Sequence, residues 1–387
     1  MRKIRVLRLI ARMNLGGPAI QITGLMMKLP SEQFEQVLVT GYCDPDEVDY
    51  LELNGFQIPL LKIEGFGRRI SLFSDLKTLL TIRRIIKDFD PDIIHTHTAK
   101  AGFLGRVAAI STLKKQIRIH TFHGHLLHGY FGNFITRLII FVERTLANFT
   151  DIFVAVGNQV RDELLSAKIG ELDKFKVIGP GLTMGKLPER NTSLEFFLLP
   201  QDKFIVTWIG RVVAIKAPHR ILEIAMQCSR QGSNVHFVVV GEGPLLSELK
   251  HSAMRLNLPL TFIGWQSDIE KVLSFSDLVL LTSKNEGTPV ALIQAQMAGV
   301  PVLTSDVGSA SEVVINQKSG YCLDYSAEQF ANKIKFLAQN VEVKKDFGVN
   351  GKTFAEKNFS LERLVSDHNE LYNQLISQSR SSPTTRA

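Results

Sequence analysis

Cysteine is scarce in this 387-residue chain: Cys43, Cys228 and Cys322 lie far apart, are odd in number and form no CxxC pair. That pattern excludes a disulfide framework and offers no zinc-site spacing, so the three read as small buried hydrophobes. Long apolar runs are missing too, since no uninterrupted stretch reaches the ~18–20 residues needed to span a bilayer. The N-terminus MRKIRVLRLIARMNLGG begins as a signal peptide would, but Arg8 and Arg12 break it. It reads instead as a strand over 4–10 entering a Gly-rich turn, and a cytoplasmic chain is expected. No basic helix or aromatic-studded strand marks a nucleic-acid module, so no nucleic-acid partner is expected.

What is present is ordinary in amount and uneven in placement. Hydrophobic residues are 45% and charged residues 21%, and the length suits two domains that each bury a core. The net charge is +7, of which residues 1–180 carry +6 and residues 181–387 carry +1. A basic first half suits phosphates or acidic lipid headgroups, or simply a solvated surface.

Seven apolar runs (4–10, 34–42, 58–63, 92–98, 116–124, 151–157 and 174–179) alternate with helically spaced segments, such as Leu72, Leu76, Leu79, Leu80, Ile82 and Ile86. This is the strand–helix alternation of a parallel sheet covered on both faces. It stops at 181–203, where prolines and glycines without periodicity read as a linker. Six further runs then follow (204–210, 235–241, 260–264, 278–283, 301–306 and 320–324). The expected architecture is α/β, with Rossmann-like doubly wound domains over 1–180 and 204–360 and a cleft between them. Residues 361–378 are expected as a helix returning to the first domain, and 379–387 as a disordered tail.

Ligands of such sheets bind beyond the carboxyl ends of the strands. Arg211 follows the run 204–210 and Lys216 comes five residues later, so two cations could grip a diphosphate. Downstream, Pro289 sits where a first helical residue favours proline, and the N-terminus of a helix over 289–298 would add unpaired N–H groups.

These motifs resemble a known family. G-R-x4-K (210–216), V-V-V-G-E-G-P (238–244), F-I-G-W (262–265), E-G-T-P-V-A-L-I-Q-A (286–295) and G-V-P-V-L-T-S-D-V-G (299–308) are similar to the donor domain of family 4 glycosyltransferases, which have the GT-B fold. N-L-G-G (14–17), H-T-H-T-A-K-A-G-F-L-G-R (95–106) and T-F-H-G-H (121–125) match its first half. The resemblance implies retaining, metal-independent transfer of a hexosyl unit from a nucleotide-diphosphate sugar, UDP favoured, to a glycan or lipid-linked acceptor in surface polysaccharide assembly. No cofactor is expected beyond that co-substrate.

Residue by residue, the resemblance makes Arg211 and Lys216 the diphosphate pair and places Glu286 by the donor sugar. It places His123 by the transferred sugar and makes Gly16 and Gly17 the loop that approaches the donor phosphate. Gly287, Thr288 and Val290 would surround the phosphates, because Pro289 has no N–H. Gln294 stands where the family has a second glutamate on the ribose hydroxyls. Its amide forms neutral rather than charged hydrogen bonds, worth ~0.5–1.5 against ~1.5–3 kcal/mol, so weaker ribose binding is implied.

Six of ten histidines (His95, His97, His120, His123, His125 and His128) fall within 34 residues, and alternation puts His95 with His97, and His123 with His125, on one face. No cysteine or clear acidic partner joins them as a metal site would require. Asp44 and Asp46, and Asp90 and Asp92, bracket prolines and read as turns. Gly241-x-Gly243 lacks a third glycine, because Leu246 occupies that position, and so fails the dinucleotide fingerprint. Only Glu286 is a clear catalytic carboxylate, which leaves no double-displacement pair. Arg68, Arg69, Arg83, Arg84 and Lys87 form a candidate face for peripheral association with an anionic membrane. Two other readings stay open: a sugar-nucleotide epimerase, and a non-catalytic partner subunit of the same fold.

Overall fold

The structure, a computed structural model, describes residues 2–45, 47–67, 69, 71–124 and 133–381. The chain divides into two compact units, one running to Leu182 and resuming at Ser360, the other spanning Thr183–Phe359. Among the described residues no helix is long and apolar enough to cross a membrane.

Among the described residues the first unit holds seven strands: β1 (Ile4–Arg12), β2 (Phe34–Gly41), β3 (Leu60–Lys62), β4 (Ile93–His97), β5 (Ile117–Phe122), β6 (Ile152–Ala155) and β7 (Phe175–Val177). All pair in parallel in the order β3-β2-β1-β4-β5-β6-β7. Strands buried on both faces must be apolar nearly throughout, and β1, IRVLRLIAR, is apolar except for its arginines. The intervening helices are α1 (Gly17–Lys28), α2 (Tyr50–Asn54), α3 (Leu72–Phe89), α4 (Ala99–Ser111), α5 (Asn133–Ala147) and α6 (Asn158–Ser166). The α3 and α5 helices both pack on α4, forming one layer over the sheet.

The second unit opens with α7 (Arg190–Phe196), followed by β8 (Phe204–Ile209), α8 (His219–Arg230), β9 (Val235–Val240), α9 (Leu246–Arg255), β10 (Leu260–Gly264) and α10 (Ile269–Phe275). It continues with β11 (Leu278–Leu281), α11 (Val290–Met297), β12 (Val302–Ser305), β13 (Gly320–Leu323), α12 (Ala327–Gln339) and α13 (Val341–Phe359). Its parallel sheet runs β10-β9-β8-β11-β12-β13. The last helix, α14 (Leu361–Ser381), buries Leu361, Leu364, Leu371, Tyr372 and Ile376 against β1, α1 and β5 residues of the first unit.

Two boundaries differ from the sequence reading. The stretch 181–203 is not a bare linker: α7 packs on α10, Leu194 and Leu199 are buried, and Arg190 pairs with Asp277 at 2.7 Å. The final helix continues through 379–381, while 382–387 lie outside the described residues.

Both sheets reverse strand order once, between β1 and β4 in the first and between β8 and β11 in the second. The helices on either side of such a reversal leave to opposite faces, and a crevice opens at the carboxyl ends of the two strands. Each unit therefore has one topological site for a ligand.

Candidate functional site

In the second unit Gly210 and Arg211 follow β8 directly, and the guanidinium of exposed Arg211 forms no ion pair among the described residues. The backbone of its loop is fixed from below. A Cβ on Gly241 (φ 135°) would lie 1.9 Å from the Gly210 carbonyl, and one on Gly243 (φ 156°) 2.5 Å from that of Val212. The two loops thus touch backbone to backbone, and the Val212 N–H donates to the Glu242 carbonyl at 2.8 Å. These glycines seat the Arg211 loop, a purpose unrelated to a dinucleotide fingerprint.

The chain then turns through a 3-10 segment, Ala214–Lys216, and Ala217 in the left-handed region (φ 45°). The buried Thr282 hydroxyl lies 3.2 Å from the carbonyls of both Lys216 and Ala217, and Trp208 Nε1 donates to it at 3.1 Å. Arg220 donates to the Thr282 and Ser283 carbonyls at 3.0 and 3.3 Å and lies over the Tyr325 ring. This bracing brings Lys216 Nζ to 2.5 Å from Glu286 Oε1, which also accepts from Ser283 Oγ at 2.5 Å. Glu286 is only 7% exposed. Buried Ser309 donates its N–H to the Glu286 carbonyl, and its hydroxyl has no partner among the described residues.

Gly287 and Thr288 lead from Glu286 into α11. Pro289 is the N-cap (φ −74°, ψ 100°) rather than the first helical residue, so the helix begins at Val290. The N–H groups of its first turn open at the same strand ends. Half-buried Gln294 lies one turn beyond Val290 on the same face. The structure thus brings Arg211, Lys216, Glu286 and the α11 N-terminus to the reversal between β8 and β11. A surface hollow bounded by Arg190, Lys203, Asn234 and Asp277 lies at the opposite, amino edge and contains none of them.

In the first unit Gly16 caps α1 and Gly17 starts it, just past the end of β1. A Cβ on Gly16 would meet only Pro18 Cδ at 3.8 Å and the Asn14 carbonyl at 4.0 Å, so the space beside it is open. Across the reversal, β4 ends at His97, and Thr98 takes a strained backbone (φ 65°, ψ 160°) with its hydroxyl buried and unpartnered among the described residues. Strain of this kind clusters at functional sites.

His123 follows β5, half-buried, with Nε2 3.0 Å from His97 Nδ1. Burial lowers its pKa to about 4, so its imidazole is neutral at physiological pH. Burial, aided by nearby cationic groups, also holds His95, His97 and His120 well below the ordinary value. His125, His128 and Asp46 lie outside the described residues. Among those described, no three His, Cys, Asp or Glu side chains converge as metal ligands would. Asp90 and Asp92 act at the amino end of β4: Asp90 pairs with Lys114, and Asp92 accepts from the Arg5 N–H. Cys228 and Cys322 are buried as expected, but Cys43 is only half-buried.

Sequence profiles match both units. The profile described as Glycosyltransferase Family 4 matches residues 15–184, and that described as Glycosyl transferases group 1 matches 189–354. The chain is a family 4 glycosyltransferase.

Its relatives include an Escherichia coli UDP-Gal:alpha-D-GlcNAc-diphosphoundecaprenol alpha-1,3-galactosyltransferase, 28% identical over 79% of this chain and 80% of that one. The capsular polysaccharide biosynthesis glycosyltransferase CapM of Staphylococcus aureus is 27% identical over 86% and 89%. Among solved structures, Anabaena HepE in complex with UDP and glucose superposes with a TM-score of 0.80 at 20% identity, covering 97% of this chain and all of that one. At that identity the match establishes the GT-B fold of the transferase. Thr282, Ser283, Ser309 and Thr98 are the polar residues at its strand ends that the sequence reading passed over. Ser283 was within reach, since it ends an apolar run three residues before Glu286.

Proposed function

We propose that this glycosyltransferase moves a hexosyl unit, with retention and without a metal, from a UDP-sugar to a glycan or lipid-linked acceptor in surface polysaccharide assembly. The observation that carries this reading is the Lys216–Glu286–Ser283 cluster, set beside Arg211 and the α11 N-terminus at the sheet reversal. Two cations and a helix N-terminus supply preorganised positive charge where a diphosphate leaving group develops negative charge. The bond from the anomeric carbon to the diphosphate oxygen breaks through an oxocarbenium-like state. The acceptor oxygen attacks from the same face, and its proton passes to the departing phosphate. Glu286 is held by Lys216 and Ser283, which suits it to orient a sugar hydroxyl rather than to act as a nucleophile. UDP is favoured because the E. coli relative is named for UDP-Gal and HepE was solved with UDP.

Peripheral membrane association is part of the proposal. On the outer layer of the first unit, α3 exposes Leu72, Phe73, Leu76 and Leu80, and α5 exposes Phe134, Leu138 and Phe141. Exposed Lys77, Arg84 and Lys87 on α3 and Arg137 and Arg144 on α5 accompany them. Apolar side chains among cations are the features by which a helix lies in an anionic interface. Arg83 does not contribute, because its guanidinium turns inward to the Ser111 carbonyl, and Arg68 lies outside the described residues.

Calorimetry with UDP- and GDP-sugars against wild type and Lys216→Ala tests the donor. Micromolar binding of a UDP-sugar that the variant loses is expected, and binding of GDP-sugars alone, or of no donor, overturns the reading. Flotation with phosphatidylglycerol vesicles at low salt tests the membrane face. Binding reduced by Phe73→Glu/Phe141→Glu is expected, and absence of binding by the wild type refutes it.

A further inference from the structure

The first unit contains a stack of imidazoles that the proposed chemistry does not use. His95 and His97 stack at 4.3 Å between ring centroids, His95 and His368 at 5.9 Å, and His97 reaches His123 at 3.0 Å. The far end of the stack is anchored. Tyr372 Oη and Arg8 meet His95 Nδ1 at 2.7 and 3.3 Å, and Thr121 Oγ1 meets its Nε2 at 2.7 Å. Arginine can only donate, so His95 Nδ1 accepts and its proton sits on Nε2. His368 Nδ1 donates to the Leu364 carbonyl at 3.0 Å. Two ring nitrogens are then buried without partners among the described residues: His97 Nε2 and His123 Nδ1.

Those two vacant positions fix the direction of the bond between them. Either direction leaves one N–H without a partner among the described residues, on His97 Nε2 or on His123 Nδ1. His97 is only 2% exposed whereas His123 is half-buried at the strand end, so the unpaired N–H is less costly on His123. With its proton on Nδ1, His97 donates to His123 Nε2. The neutral His123 then carries its own proton on Nδ1, the nitrogen left for a ligand.

We propose that His97 is a positioning residue that holds His123 as its Nδ1–H tautomer, so that His123 presents a hydrogen-bond donor, not an acceptor, to a ligand at the carboxyl ends of the first sheet. This rests on the proposed glycosyl transfer for what His123 meets, but not for the tautomer itself. The C-terminal helix takes part in the site through it: α14 supplies Tyr372 and His368, which hold the stack from behind. The titratable groups around the pair are Arg8 from β1, His95 from β4, His120 from β5, and His368 and Tyr372 from α14. Apart from the tyrosine these are cations or potential cations, so none of them favours protonation of His123, which burial already disfavours.

The test uses the full-length enzyme. Nitrogen-15 NMR of histidine-labelled protein at pH 7, with His123→Asn to assign the signals, is expected to show His123 protonated on Nδ1. His97→Leu should release it to a mixture of tautomers, lower kcat/KM by roughly 10–50-fold and move the acid limb of the rate profile upward. In His97→Asn the side-chain amide takes the place of the Nδ1–H donor, so the tautomer should be retained and the rate kept within about threefold of wild type. A wild-type His123 protonated on Nε2, or a tautomer and acid limb unchanged in His97→Leu, overturns the inference. The NMR measurement needs no substrate, so failure to find glycosyl transfer would strike the proposed function and leave this result standing.

Discussion

Replacing Glu286 by glutamine removes one charge from the cluster while keeping its shape, so it separates the two tasks that cluster is asked to perform. The glutamine carbonyl can still accept from Lys216 Nζ and Ser283 Oγ, both 2.5 Å from Oε1 in the native protein, and the fold should hold. What changes is the hold on Lys216. The ammonium still donates a charge-assisted bond to the amide carbonyl, but the ion pair is gone, so about 1 kcal/mol of attraction that kept the ammonium on Glu286 becomes available for a diphosphate. UDP should therefore bind about fivefold more tightly, at ~1.4 kcal/mol per tenfold. Transfer should move the other way, with kcat falling roughly 10–100-fold as the charged contact to the sugar is lost. Lys216→Ala provides the contrast, because it should weaken UDP and transfer together. Titration calorimetry with UDP at low and moderate salt, paired with a radiolabelled-sugar transfer assay, reads both quantities. A UDP Kd in Glu286→Gln equal to or weaker than wild type refutes the reasoning, for it would mean that Glu286 does not compete with the diphosphate for Lys216.

The buried histidines make stability depend on pH. His123 and His368 have folded pKa values of about 4 and about 3, below the ordinary value, so the unfolded chain binds their protons first as pH falls. Stability present above pH ~6.5 should then be lost at about 1.4 kcal/mol per pH unit per histidine down to the folded values, and a melting temperature unchanged between pH 7 and 5 would contradict this. Glu143→Ala strands the fully buried Arg106, whose Nη2 donates to both Glu143 carboxylate oxygens at 2.8 and 2.7 Å, and should cost about 3–5 kcal/mol by urea denaturation. A double replacement by leucines, Arg106→Leu/Glu143→Leu, should recover most of that loss, and a Glu143→Ala protein as stable as wild type would show the pair to be dispensable. Gly241→Ala forces a methyl against the Gly210 carbonyl, and should lower stability by about 1–3 kcal/mol and loosen UDP through the Arg211 loop. Wild-type UDP affinity in that variant would mean the loop is not what places Arg211.

What the sequence made legible follows from how far each feature depends on distant chain. The thirteen strands of the described residues were visible as apolar runs. Most are buried and must therefore be apolar along their length, while edge strands such as β3 and β7 are partly exposed. The α7 helix was not, since seven residues are too few to display a 3.6-residue period and its anchors, Asp277 and α10, lie some eighty residues on. The offset at Pro289 has a different cause: proline suits both the cap and the first helical position, and only its ψ of 100° decides between them. Arg211, Lys216 and Glu286 were legible as residues following strand ends. The threonine and serines that brace them were not, because a hydroxyl at a strand end carries no mark of its partner.

The histidines show where that boundary runs. Alternation along β4 puts His95 and His97 on one face, and any reader of the sequence can see it. Their contact with His123 needs the parallel register of β4 with β5, which pairs His97 with Thr121 and so places His123 two residues further along the same face. The anchor at Tyr372 needs more still, a contact across 277 residues that no local pattern encodes. A residue's chemistry was therefore readable where its neighbours in sequence are also its neighbours in space. Its tautomer, which depends on what stands behind it, becomes readable only once α14 is seen to close over the first sheet.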